Sequence, residues 1–178
     1  MLVAALMLLT DPAPAILAAE ANLRCILERI PVDVRASPDR SPAYVTEARL
    51  SESAYEAARA CTGTDTNYGH WLAALAVVRL RLEHIAEILR QRGIDPGLPA
   101  AWFLEQSPEA RRNVIEAPSA ALDARMRAGG VSDDAMRENS LAIMGLVEHL
   151  RMMELFCRRE SDGQYGASWP LRSAGACG

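Results

Sequence analysis

Lysine is missing from this chain: all 19 of its basic residues are arginine. A set of guanidiniums alone would suit bidentate phosphate contacts. Here the arginines are scattered among acids and the net charge is −4, so there is no concentrated basic face of the kind that binds nucleic acid. The preference is explained more simply by the arginine codons of a GC-rich bacterial genome. Aromatic residues are also scarce, at 5%. No segment alternates with period two for long enough to specify a sheet.

Other absences remove whole chemistries. Without C-x-x-C there is neither a thioredoxin-type redox pair nor a zinc knuckle, and without C-x-x-C-H no covalent c-type haem. There is no G-x-S-x-G to place a nucleophilic serine, and no glycine-rich loop to cradle phosphate. The three histidines, His70, His84 and His149, follow Asn67, Arg81 and Leu146 by three residues. The Glu-x-x-His ligand pair of carboxylate-bridged di-iron bundles is therefore absent. These gaps favour a protein that is not an enzyme and carries no cofactor.

What is present begins with the first 21 residues. Leu2–Leu9 is an apolar run, broken at Thr10-Asp11-Pro12 and followed by two A-x-A patterns, Ala13-Pro14-Ala15 and Ala19-Glu20-Ala21. This order matches the core and cleavage region of a secretory signal peptide, with a mature start near Ile16 or Asn22. The run is far short of the roughly 20 residues that span a bilayer, so no stable membrane insertion is expected after processing. Two features run against export: no Arg precedes Leu2, and Asp11 is an unusual charge before a cleavage site. The alternative is a cytoplasmic protein in which residues 1–30 form an Ala-rich helical hairpin.

The remainder reads as all-α, a compact bundle of about six helices over residues 22–160. Ala, Leu, Arg and Glu favour helix. The first helix, 16–30, carries Leu23, Ile26, Leu27 and Ile30 on one stripe and is stopped by Pro31. Residues 32–44, with two Ser-Pro steps, read as an irregular connection or a short cap over the core. A second helix covers 46–62 and ends at Gly63. Trp71, Leu75, Val78, Leu82, Ile85 and Leu89 then recur at alternating steps of four and three, the seam of a long helix packed at a shallow angle. Gly93 ends it and Asp95-Pro96-Gly97 turns the chain.

Ala100–Leu104 reads as a short apolar turn. Ser107-Pro108-Glu109 opens a helix reaching Glu116, and another covers 119–128. Ser132 opens one last helix running to about Glu160, with Ile143, Leu146, Val147, Leu150, Met153 and Cys157 inward. Its apolar character around much of its circumference places it centrally. Residues 161–178, rich in Gly and Ser, read as a flexible tail.

The four cysteines, Cys25, Cys61, Cys157 and Cys177, allow two disulfides in an oxidising compartment. Cys25 lies opposite the stripe of its helix, among Arg24, Glu28 and Arg29, where an unpaired thiol would be exposed. Cys61 and Cys157 sit on inward faces. Cys25–Cys61 is the preferred pair; Cys157–Cys177 would account for a cysteine in the tail, and a free terminal thiol is the alternative.

Two side-chain groups invite a chemical reading. His84, Glu83 and Glu87 are surrounded by Arg79, Arg81 and Arg90, which would repel a cation, so they read as a solvated, ion-paired face. His149, Met153 and Cys157 are spaced by four on the last helix, a donor set suited to Cu(I). Steps of four drift around a helix, however, and Met and Cys are ordinary core fillers. The function expected is that of an exported, periplasmic or secreted helical protein with an interaction or accessory role toward a protein partner. The alternative is a bundle binding a small ligand or a soft metal such as copper.

Overall fold

A computed structural model describes the backbone of residues 14–35, 43–63, 67–112 and 120–161, and the side chains of 21–35, 48–63, 67–111 and 120–155. Among them nine helical segments occur and no strand: α1 (Pro14–Arg29), α2 (Val32–Arg35), α3 (Ala43–Thr62), α4 (Asn67–Gln91), α5 (Gly97–Glu105), α6 (Pro108–Arg112), α7 (Ala120–Ala128), α8 (Asp133–Glu138) and α9 (Ser140–Ser161). The all-α class expected from composition and periodicity is the class found.

The helix ends follow local chemistry. Gly63, Gly93 and Gly130 take φ of 71°, 72° and 86°, the left-handed conformation that lacks a steric penalty only in glycine. Behind Gly93, Ile94 N donates to Leu89 O at 2.9 Å and Gly93 N to Arg90 O at 2.9 Å. Behind Gly130, Val131 N donates to Met126 O at 3.0 Å and Gly130 N to Arg127 O at 2.9 Å. Both are Schellman closures, which satisfy carbonyls left over at a helix end and seat the following apolar residue. Ile94 and Val131 are accordingly buried.

Three segments differ in detail from the pattern expected of them. Part of the stretch after Pro31 is a helical turn, α2, formed because Val34 N and Arg35 N both donate to Pro31 O, at 3.0 and 2.9 Å. Val34 is buried and α2 packs on α3, so the turn caps the core. The apolar turn around Trp102 is longer than Ala100–Leu104 and forms α5, starting at Gly97, whose N–H is held by Asp95 Oδ1 at 2.8 Å. The final long helix is divided at Asn139, as described below. The expected continuation of α6 to Glu116 and the tail 162–178 lie outside the described residues.

Two apolar clusters fill the interior. The first joins Leu23, Ile26 and Ile30 of α1, Val34 of α2, Leu50, Ala54, Ala57 and Ala58 of α3, and Trp71, Leu72, Leu75 and Ala76 of α4, with Met153 of α9 against its edge. The second joins Leu89 of α4, Ile94, Trp102 and Phe103 around α5, Leu122 and Met126 of α7, Met136 of α8, and Ile143, Leu146 and Val147 of α9. The small residues on α3 and α4 let those helices approach closely. Helix α4 is the hub, packing on α1, α3 and α9, which is why Leu72, Ala73 and Ala76 are buried beside the expected seam.

Helices α4 and α9 run antiparallel. Arg92, just beyond α4, bonds to Asn139, just before α9. In mid-contact Ile85 Cδ1 lies 3.4 Å from where a β-carbon on Gly145 would stand. Met153, further along α9, meets the cluster built on the amino-terminal half of α4.

A disulfide closes the amino-terminal side: Cys25 of α1 and Cys61 of α3 are bonded, with Cα atoms 6.0 Å apart. This is the pairing preferred from helical position. Cys61 is half-buried rather than buried, packing on the edge of the first cluster while bonded to Cys25.

Candidate functional site

Helix α9 carries most of the residues singled out above. In the His149, Met153 and Cys157 set, His149 is half-buried and its Nδ1 lies 2.7 Å from Gly145 O, one turn back. If Nδ1 carries the proton, Nε2 keeps a free lone pair. Met153 packs against the first apolar cluster. The Cys157 side chain lies outside the described residues, as does any bond between Cys157 and Cys177. Among the described residues no group of three or more His, Cys, Asp or Glu converges as metal ligands would.

Glu83 and Glu87 form the ion-paired face expected, whereas His84 between them is half-buried rather than solvated. Arg79 Nε meets Glu83 Oε1 at 3.0 Å, and Arg90 Nη1 meets Glu87 Oε2 at 3.1 Å with Gln91 also donating to Glu87. Glu83 and Glu87 are thereby committed to neighbours on their own helix, and pairs this exposed contribute little to stability.

A less exposed charge cluster lies where α6 meets α9. Arg111 Nε is 3.5 Å from Glu154 Oε2, with both side chains only about one-fifth exposed. The Arg111 guanidinium also stands 5.8 Å from the Phe103 ring centroid, within cation–π range. One turn before Glu154, Arg151 pairs with Glu148 through two nitrogens, Nε at 2.8 Å and Nη2 at 2.7 Å. The Glu148 hydrogen bond raises the Arg151 pKa above its ordinary value. The Arg111–Glu154 pair ties α6 to α9, whereas the Arg151–Glu148 pair lies within α9. Trp102 Nε1 is buried without a hydrogen-bond partner among the described residues.

The most unusual surface feature is the start of α9. In the register of the second cluster, Met136, Asn139, Ile143 and Leu146 occupy successive inward positions, yet Asn139 is polar. It is the sole buried polar residue among those described, 5% exposed. Its Nδ2 donates to Ala135 O at 2.8 Å and its Oδ1 accepts from Arg92 Nη1 at 2.7 Å. Its backbone, at φ −109° and ψ 12°, leaves helical geometry and closes α8, while Ile143 N donates to Asn139 O at 2.9 Å to open α9. A polar residue at a core position is the sequence signal for this break, which periodicity alone passed over.

Beyond the break, Leu141 in the first turn of α9 is 90% exposed. The preceding turns carry solvated ion pairs, Arg137–Asp134 at 2.8 Å and Arg127–Asp133 at 2.7 Å. Elsewhere Leu104, at the end of α5, is 58% exposed. The degree of Leu141 exposure depends on which faces meet in the tertiary packing and does not follow from its place in the sequence. No family model, curated protein or solved structure matches this chain.

Proposed function

We propose that this protein is an exported, disulfide-stapled helical module that acts by contact with a protein partner, using the first turn of α9. The observation that carries the reading is Leu141, a large apolar side chain held almost wholly in water on an ordered helix. Burying such a side chain is worth about 1.5–3 kcal/mol, of which a partner covering it would keep what remains after the costs of association. The exposed acids and arginines of α8 would supply a polar rim, the usual anatomy of a transient interface.

Export is supported by the Cys25–Cys61 bond, since structural disulfides persist in oxidising compartments and are rare where glutathione and thioredoxin act. Among the described residues no helix is long and apolar enough to cross a membrane. The test is site-specific photocrosslinking in the native host. A photoreactive residue at position 141 is expected to give a discrete protein adduct in the periplasmic or secreted fraction, and one at exposed Arg90 is not. Equal adducts at both positions, or none at 141, would remove the contact surface.

A further inference from the structure

We infer that the partner met by Leu141 presents an apolar pocket flanked by a basic side chain, an arginine or lysine that takes the carboxylate of Glu138, and that it is not a second copy of this chain; this rests on the reading of Leu141 given above. Glu138 is the last residue of α8 and stands three residues before Leu141, so their Cα atoms are at most about 11 Å apart. Both residues are exposed. An apolar and an ionised group at that spacing fit within one docking footprint.

The charges around this end of the bundle decide the sign of the partner. Arg137 pairs with Asp134 at 2.8 Å and Arg127 with Asp133 at 2.7 Å. At the end of α4, Arg90 pairs with Glu87 at 3.1 Å, and Arg92 Nη1 donates to Asn139 Oδ1. Each of these charged groups already has a partner within the chain. Glu138 has no ion-pair or hydrogen-bond partner among the described residues. The uncommitted charge beside Leu141 is therefore a single carboxylate, and the group complementary to it is a cation. In the open, water solvates that carboxylate; a partner that displaces the water must answer the charge or bear its desolvation. The same charge argues against self-association. A two-fold contact centred on Leu141 would use one patch twice, bringing two Glu138 carboxylates together while the neighbouring arginines are already paired.

The experiment places a photoreactive residue at position 141 of the full chain and compares adduct yield in the periplasmic or secreted fraction for the native background, Glu138→Gln and Glu138→Arg. Glu52→Gln, at an exposed acid on α3, controls for net charge. Glu138 and Glu52 are both exposed, so the substitutions leave the fold intact, checked by an unchanged Tm. Glu138→Gln is expected to lower the yield about two- to fivefold and Glu138→Arg about tenfold or more, with Glu52→Gln without effect. Raising salt from about 0.05 to 0.5 M should lower the native yield and change the Glu138→Gln yield little. Equal yields in all backgrounds, or a higher yield for Glu138→Arg, would overturn the inference and leave the Leu141 contact standing. An adduct of twice the chain mass would overturn it as well, since the partner would then be a second copy. No adduct at position 141 in the native background would overturn both readings.

Discussion

Asn139 shows how one side chain can shape the surface of a bundle. Its Oδ1 accepts from the guanidinium of Arg92, an exposed residue at the far end of α4, so removing the donor breaks the bond and opens the acceptor toward water. Arg92→Ala is expected to cost about 0.5–1.5 kcal/mol in urea unfolding, the net worth of a hydrogen bond whose acceptor water can reach. The double variant with Asn139→Leu should be less destabilised than the two single changes summed, since it removes both partners of one bond. Additive losses would show that the bond is not coupled. Leu141→Glu is the contrasting case: at 90% exposure it should change stability by no more than about 0.5 kcal/mol. Loss of the position-141 partner contact with unchanged Tm separates recognition from folding.

Elements are limited by their ends and their ties. Ser132 Oγ accepts from Ala135 N at 3.2 Å at the start of α8, and Ser132→Ala is expected to cost about 1 kcal/mol, measured by chemical denaturation. The Cys25–Cys61 bond spans a sequence separation of 36. Closing a loop of that size removes unfolded-state entropy worth about 4 kcal/mol in the chain-entropy treatment. Reduction, or the paired Cys25→Ser and Cys61→Ser change, should lower unfolding free energy by about 2–4 kcal/mol. An unchanged denaturation midpoint would contradict that role.

At this scale much was legible. The caps at Gly63 and Gly93 and the α4 seam follow from short-range rules about φ and period, and helical face favoured the Cys25–Cys61 pairing without fixing it. The division of the last helix was not, because Asn is only mildly unfavourable inside a helix. The decisive partner, Arg92, lies 47 residues away.

Across the whole molecule, α4 and α9 connect two apolar clusters that otherwise draw on different helices. The disulfide belongs entirely to the first. Hydrogen exchange after reduction should therefore show faster exchange in α1 and α3, with protection of Leu122–Met126 and Ile143–Val147 retained. Equal loss of protection throughout would mean that the clusters unfold as one unit.

The candidate surface was less legible than the fold, and the reason is physical. Helix, cap and stripe arise from interactions a few residues apart, which the order of residues specifies directly; so the all-α class, most helix ends and the inward faces could be read from the chain alone. Whether Leu141 stands in water, whether Asn139 finds a donor, and which helix becomes the hub depend on which faces meet across the bundle. Those contacts join residues dozens of positions apart, and only the packed tertiary structure decided them.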